Sequence, residues 1–211
     1  MPVTLDQLLA FLATSVLITL APGPDNLAVL SLGIANGRKP GMLFGLGCAL
    51  GCLNHTVLAA LGVGALIAAS PTAFTLLKLA GGAYLIYLGV QALRSGGARF
   101  ESGAPSPSQP WRRYLVRGVL ASAINPKVVL FFLAFLPQFV DMKRGHVGLQ
   151  IAVLGTLFAM QGAVLFGVLG YFSGMVGQAL KKKPGIGQWL DRLAGSVFIL
   201  LGAKLALSQG K

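Results

Sequence analysis

The chain has 211 residues, of which 55% are hydrophobic and only 10% are charged. A water-soluble domain of this length could not bury so large an apolar fraction in one core, so the composition predicts an integral membrane protein. The formal net charge of +12 would suggest a nucleic-acid partner for a soluble chain. Here the basic residues lie between apolar runs, which favours a membrane topology and no nucleic-acid partner.

Six apolar runs are long enough to cross a bilayer, since a spanning helix uses about 20 mostly apolar residues. The first run is not interpreted as a secretory signal, because the N-terminal stretch 1–7 includes Asp6 and no Lys or Arg. We therefore predict an all-α membrane protein with six transmembrane helices in a single domain, residues 1–211. The runs cover residues 5–34, 42–69, 74–93, 114–140, 149–180 and 190–207.

Basic residues are concentrated between runs one and two, three and four, and five and six. The positive-inside rule places these three loops in the cytoplasm, which leaves both termini on the outer side together with Lys78, Lys143 and Arg144. The loop residues are Arg38, Lys39, Arg94, Arg99, Arg112, Arg113, Arg117, Lys181, Lys182, Lys183 and Arg192.

The two halves of the chain resemble each other. A Gly-, Ser- and Pro-rich segment, which we interpret as a flexible cytoplasmic linker over residues 95–113, separates repeat one (1–94) from repeat two (114–211). Lys78-Leu79-Ala80-Gly81 matches Arg192-Leu193-Ala194-Gly195, and Pro24-Asp25 matches Pro126-Lys127. Because each half has an odd number of helices, the halves form an inverted repeat, an architecture typical of transporters that work by alternating access.

Pro22, Gly23 and Pro24 interrupt the first apolar run. Each proline removes a backbone donor and disturbs the preceding turn, and the glycine allows the chain to bend. We predict a broken helix whose second half begins near Pro24, with free backbone N–H groups at Asp25, Asn26 and Leu27. Irregular backbone is tolerated at membrane depth where it lines a cavity or is buried in protein, so a cavity is expected here; a simple proline kink is the alternative.

Asn125-Pro126-Lys127 predicts a second break, in the fourth run. Asn125 suits the N-cap of a new half-helix and Pro126 suits its first position. Lys127 then lies at the positive end of a helix dipole and needs a negative partner. A charge at the helix centre costs about 2.5–3.5 kcal/mol. Asp25 is the only acidic residue predicted deep in a span, so we expect it to face Lys127.

Two roles are open for this pair of charges. In the first, Lys127 and the half-helix N-termini bind a substrate carboxylate, and Asp25 binds an ammonium group or the coupling proton. In the second, the two side chains form a permanent ion pair that only holds the halves together. We favour the first role, because apolar packing would serve a purely structural purpose equally well.

His55 and Gln161 are further polar residues at membrane depth. Histidine titrates near neutral pH, so these residues are candidates for proton coupling, with a hydrogen-bonded structural histidine as the alternative. Cys48 and Cys52 are too few for a zinc site, and the sequence predicts neither a metal nor a cofactor.

Small residues recur at a spacing of four in the second run, at Gly41 and Gly45 and at Gly47 and Gly51. Such pairs allow helix backbones to approach closely in a membrane. They indicate packing within the bundle or between the protomers of a homodimer, and both uses are open at this point.

Three motifs carry a resemblance to a known family. They are Ala21-Pro22-Gly23-Pro24-Asp25-Asn26, the segment 78–89 that begins Lys-Leu-Ala-Gly-Gly, and Asn125-Pro126-Lys127 followed by the aromatic segment 131–139. In these motifs, and along essentially its whole length, the chain resembles the LysE/RhtB family of bacterial amino-acid exporters. The resemblance implies an inner-membrane efflux carrier for amino acids or their derivatives, driven by the proton gradient as an antiporter.

Other functions are less well supported. An exporter or channel for another small solute is the main alternative, although permanently wet pores are usually lined by more polar residues. Neither a His-Glu-x-x-His nor a Gly-x-Ser-x-Gly pattern is present, so an enzyme is not predicted. The expected partners are therefore a small-molecule substrate, protons and membrane lipid.

Overall fold

A computed structural model describes residues 2–95 and 109–207, and these residues form helices without any strand. Most of the predicted linker, at 96–108, lies outside the described residues, and helix α5 begins within its last three residues. Two non-α segments, a π-helix over Phe131–Phe135 and a 3-10 helix over Leu136–Phe139, continue the chain after α6. The α-helices are α1 Leu5–Leu20, α2 Pro24–Asn36, α3 Arg38–Ala69, α4 Pro71–Arg94, α5 Trp111–Ile124, α6 Pro126–Leu130, α7 Val147–Tyr171, α8 Ser173–Lys182 and α9 Pro184–Leu207.

Helices α3, α4 and α7 are each long and apolar enough to cross a membrane. Two bent pairs raise the number of spans among the described residues to as many as five: α1 with α2, and α5 with the stretch Pro126–Phe139. Helix α9 has 24 residues but is not among the helices with this apolar character. Six spans and an inverted repeat therefore stay predictions.

Both predicted helix breaks are confirmed. Helix α1 ends before Pro22, and α2 starts with Pro24 in its first turn at an angle of 56° to α1. Helix α5 ends at Ile124, and the chain continues from Pro126 at an angle of 54°. At the first break the Leu27 N–H, which was expected to be free, donates to the Gly23 carbonyl at 3.0 Å. Proline causes both breaks directly, because it cannot donate to the preceding turn and restricts the residue before it.

Three details differ from the sequence-based expectations. The fifth apolar run is two helices, since the chain turns at Phe172 between α7 and α8. The fourth run leaves α-helical geometry at Phe131, where the turns widen into a π-helix. Lys78, expected near the outer surface, instead lies about two turns into α4 and is only 4% exposed.

The glycine pairs of α3 pack within the protomer. A Cβ on Gly41 would lie 2.9 Å from the Val29 carbonyl oxygen, and one on Gly47 would meet the Leu115 carbonyl oxygen even more closely. Gly45 and Gly51 meet Phe166 and Ser122 in the same way. Close backbone contact therefore attaches α3 to α2, α5 and α7, while the homodimer stays a prediction.

Helices α4 and α9 form a second close-packed pair. A Cβ on Gly82 would lie 2.9 Å from the Gly202 carbonyl oxygen, and one on Gly89 would lie 2.7 Å from the Gly195 carbonyl oxygen. Two glycine contacts one heptad apart on each helix bring the backbones together along two turns.

The two ends of the bundle differ in charge. One end has the α2–α3 junction, the C-terminus of α4, the N-terminus of α5 and the α8–α9 junction, and Arg38 lies 4.5 Å from the centre of the Tyr171 ring there. The opposite end has the N-terminus of α1, where Gln7 Nε2 donates to the Phe139 carbonyl at 3.1 Å. Buried Gln150 secures that end with hydrogen bonds to the backbone of Asp141 and Gly145. The first end carries the basic loops and is called the basic end below.

Substitution of Gly47 by Ala is expected to destabilise the protein by about 1–3 kcal/mol, because its Cβ would overlap the backbone of α5. The matched control is Gly62→Ala in the same helix, where a Cβ meets nothing within 4 Å. That control should leave stability unchanged or raise it, since alanine favours a helix over glycine by about 1 kcal/mol. Melting temperatures of the purified variants in detergent would measure both effects. Equal melting temperatures for the two variants would contradict the packing described here.

Candidate functional site

The Lys127 side chain joins the two helix breaks. Its Nζ atom donates to the Ala21 carbonyl, at the C-terminus of α1, at 2.9 Å. The lysine side chain passes so close to Gly23 that a Cβ atom on that glycine would lie 3.0 Å from Lys127 Nζ. The ammonium also lies 5.3 Å from the centre of the Phe198 ring, within the range of a cation–π interaction. This lysine, only 8% exposed, therefore contacts α1 and α9 from its own place in α6.

Asparagine side chains satisfy the backbone at both breaks. Asn125 Oδ1 accepts from the Lys127 backbone N–H at 3.0 Å, which is the predicted N-cap. Asn26 Nδ2 donates to the Thr19 carbonyl at 2.8 Å, near the end of α1. The breaks therefore keep most of their backbone groups paired in a low-dielectric environment, as burial requires.

Asp25 lies beside this lysine but does not form an ion pair with it. The carboxyl group is 6% exposed and interacts electrostatically with Asn125 and Lys127. The only ion pair within 4 Å in residues 2–95 and 109–207 joins Asp141 and Arg144 at the surface. The two buried charges interact over a longer distance, so the permanent ion pair considered from the sequence is not the arrangement found.

Several polar atoms around the breaks are buried without a hydrogen-bond partner. They are Asn26 Oδ1, Asn125 Nδ2 and Gln161 Oε1. More than nine in ten buried polar groups in proteins are hydrogen-bonded, so each exception needs an explanation. Three such atoms around two helix breaks indicate a place for water or a bound solute.

Two spaces of very different size lie on either side of Lys127. The larger cavity measures about 310 Å³, within the range of small-molecule sites. The smaller void, about 20 Å³, has room for about one water molecule. Lys127 lines both spaces, while Asp25 and Asn26 line only the smaller void among the described residues. The larger cavity is lined by Pro22, Gly23, Pro24, Leu27, Tyr84, Leu88, Gln91, Ala92, Ser95, Asn125, Pro126, Lys127, Asp191 and Phe198.

The larger cavity extends from the helix breaks toward the basic end of the bundle. Ser95 follows the last turn of α4, and Asp191 lies in the second turn of α9, so both mark that end. Toward the other end the path is closed by stacked rings, with Phe131 and Phe158 centroids 4.3 Å apart. This aromatic cluster comprises Phe11, Phe131, Phe132, Phe135, Phe139 and Phe158.

The two residues considered for proton coupling lie away from the larger cavity. His55 Nε2 is 3.2 Å from the Ser122 carbonyl oxygen, and its ring packs 5.6 Å from that of Phe132. Gln161 Nε2 donates to Thr19 Oγ1 at 2.8 Å and to the Phe158 carbonyl at 3.0 Å. His55 therefore has the bonded environment of a structural histidine, whereas Gln161 attaches α7 to α1 beside the smaller void.

The cavity residues that sequence reasoning missed include Tyr84, Gln91, Asp191 and Phe198. Asp191 and Phe198 are seven positions apart, so they share one face of α9. That spacing could have been noticed in the sequence, but Asp191 is next to Arg192 and was hidden in a basic flank. Tyr84 and Gln91, also seven apart, occupy one face of α4 in the same way.

The family model for the LysE type translocator matches residues 16–209, which include both helix breaks and every residue that lines the larger cavity. The chain belongs to the LysE type translocator family.

Curated relatives agree with this family. The chain is 36% identical to a membrane protein of Vibrio cholerae, across 95% of this chain and 97% of the relative. It is 32% identical to a leucine efflux protein of an Enterobacter species, across 90% of each chain. It is 28% identical to the membrane protein YrhP of Bacillus subtilis, across 97% and 100%. No solved structure matches it. With its apolar helices, the chain is a multi-pass membrane protein of a transporter family.

Substitution of Gly23 by Ala should displace the Lys127 ammonium while leaving the fold intact. The backbone at Gly23 is extended and tolerates a side chain, and the atom in the way is the end of a flexible lysine. We expect the translocation rate to fall about threefold to tenfold, because part of a charge-assisted contact worth ~1.5–3 kcal/mol is lost. Transport by reconstituted protein at matched melting temperature would measure this. A wild-type rate would show that the placement of the ammonium is unimportant.

Proposed function

We propose that the protein is a secondary transporter that exports amino acids or their derivatives across the bacterial inner membrane. Membership of a translocator family and similarity to a leucine efflux protein support this proposal. The single observation that carries it is the cavity of about 310 Å³ between two helix breaks, with a buried lysine at its inner end. The sequence-based topology places the basic end, and hence the mouth of this cavity, in the cytoplasm, with both termini on the periplasmic side.

In this proposal Lys127 binds the substrate carboxylate. Its ammonium lines the larger cavity and has one backbone carbonyl as its hydrogen-bond acceptor, which leaves two of its three donors for a solute. The N-terminus of α2, with Asp25 and Asn26 in its first turn, adds a positive dipole end beside the same place.

Asp25 takes the coupling proton in this proposal. The carboxyl lines the smaller void, which is too small for an amino acid but large enough for one water. A water there could donate to the free Asn26 Oδ1 and connect the carboxyl to its surroundings. When Asp25 takes up a proton, Lys127 loses its nearby negative charge, so protonation and carboxylate binding are linked electrostatically.

Alternating access requires a second state that is open to the periplasm. Among the described residues the larger cavity extends toward the basic end, and the aromatic cluster lies toward the other end. In this proposal the arrangement is the state that loads from the cytoplasm. Two halves that pack in two nearly equal ways would exchange these openings around the central charges.

Neutralisation of either central charge should abolish concentrative export. Cells preloaded with labelled L-leucine, or with another standard amino acid that the wild type exports, would be tested with Lys127→Met and Asp25→Asn. We expect at least a tenfold loss in each, since Lys127→Met removes a charged contact with the carboxylate worth ~1.5–3 kcal/mol and Asp25→Asn removes the group that takes the coupling proton. A protonophore should remove concentrative export by the wild type.

Matched controls are Lys204→Met and Asp6→Asn, because both side chains are exposed. These should export at the wild-type rate at equal membrane abundance. Unchanged export by both Lys127→Met and Asp25→Asn would return these residues to a structural role. Export without saturation and without response to the protonophore would favour a channel.

A further inference from the structure

A second buried acid faces the larger cavity, and neither the helix breaks nor the proposed coupling step uses it. Asp191 is 6% exposed, although it lies only two turns into α9. Ser95 Oγ donates to its Oδ2 atom, and within the described parts of the chain no Lys, Arg or His nitrogen is within 4 Å of the carboxylate. A buried carboxylate normally has a cationic or multiply hydrogen-bonded partner, and among the described residues only the Ser95 hydroxyl is in hydrogen-bond contact with Asp191.

Asp191 and Lys127 occupy the two ends of one cavity. The Lys127 ammonium lies beside α9, since its Nζ atom is 5.3 Å from the centre of the Phe198 ring. Asp191 lies seven residues earlier on the same face of α9, which corresponds to about 10 Å along the helix axis. The opposite charges line the same space without touching each other.

The axial rise of about 10 Å from Asp191 to Phe198 is comparable with the length of a bound zwitterion together with its two hydrogen bonds. The carboxylate oxygens and the ammonium nitrogen of an α-amino acid are about 3 Å apart. Two charge-assisted hydrogen bonds of about 2.8 Å each extend that distance to roughly 9 Å between the flanking protein groups. Apolar side chains of Leu27, Leu88 and Phe198 line the cavity between the two charges and leave space for a hydrocarbon side chain.

Asp25 cannot fill this role in the described arrangement. It lines the void of about 20 Å³ behind Lys127, and it is not among the described residues that line the larger cavity. A solute in the larger cavity therefore meets Asp191 and the polar groups of Tyr84 and Gln91 rather than Asp25.

We propose that Asp191 is the ammonium ligand of the larger cavity and makes it selective for solutes that carry an amine as well as a carboxylate. The inference rests on the proposed function and adds to it a specificity-determining residue. Ser95 positions the carboxylate through the hydrogen bond to Oδ2, which leaves Oδ1 for the amine. Lys127 binds the carboxylate of the same solute, so the two charges of the zwitterion are bound by different side chains.

The test measures competition with labelled L-leucine bound to purified protein. One competitor, 4-methylpentanoate, is leucine without its amine, and the other, L-leucinamide, is leucine without its carboxylate charge. If another standard amino acid binds more tightly, its own two analogues replace these. Wild-type protein should prefer leucine to both analogues by about tenfold or more, the ratio that corresponds to ~1.4 kcal/mol.

In Asp191→Asn the preference for leucine over 4-methylpentanoate should fall at least tenfold, while the preference over L-leucinamide persists. Lys127→Met should show the reverse pattern. Asp191→Glu keeps the charge and should retain most of the preference for the amine, which separates ligand binding from folding. Asp6→Asn changes the net charge by the same amount at an exposed position and should match the wild type.

Two outcomes would overturn the inference alone. They are wild-type selectivity in a folded Asp191→Asn protein, and an equal loss of leucine and 4-methylpentanoate binding in that variant. Absence of binding or export of every standard amino acid by the wild type would overturn the proposed function, and the role of Asp191 with it.

Discussion

The hydrogen bond between the Lys127 ammonium and the Ala21 carbonyl connects the two helix breaks at the centre of this molecule. It crosses from the second helix break to the first, and it places a positive charge where both half-helices end. A cation buried in a bundle of apolar helices is tolerated only if nearby groups compensate for lost water, and here a carbonyl, an aromatic ring and a more distant carboxylate do so. Each of these groups depends on a feature of the backbone nearby: the prolines end α1, the glycine admits the lysine, and Asn125 starts the helix that carries it.

Two groups of close-packed helices surround this centre. Helix α3 packs through its glycines against α2, α5 and α7, and so forms a firm support for both breaks. Helices α4 and α9 form the opposite wall of the larger cavity and supply most of its polar side chains. The site therefore lies between two close-packed units, and its lining comes from both.

Features with a local physical cause could be predicted from the sequence. Proline interrupts a helix wherever it occurs, so residues 22, 24 and 126 located both breaks, and Asn125 before a proline is a recognisable N-cap. The proximity of Asp25 and Lys127 followed from the cost of isolated charges in a membrane. The roles assigned to these residues, and the repeat that relates them, remain proposals.

Features that depend on tertiary contacts could not be predicted from the sequence. Nothing in the sequence shows that Lys127 reaches the Ala21 carbonyl rather than the Asp25 carboxylate, because that choice depends on how the helices pack around the two breaks. Asp191 was overlooked since its basic neighbours suggested a loop, and only the packing of α9 on α4 buries it. The glycine pairs were recognised, but the surface that they meet became clear only from the packed bundle.

The backbone contacts of Gly82 with Gly202 and of Gly89 with Gly195 have a mechanical consequence. Two helices in backbone contact at two levels cannot slide or twist past each other without opening both contacts. We therefore expect α4 and α9 to move as one rigid body. Any rigid-body movement of this pair carries Tyr84, Gln91 and Asp191 together, at unchanged distances from one another. In the proposed alternating-access cycle, the side chains that a solute meets on this wall would therefore stay the same while their distance from Lys127 changed.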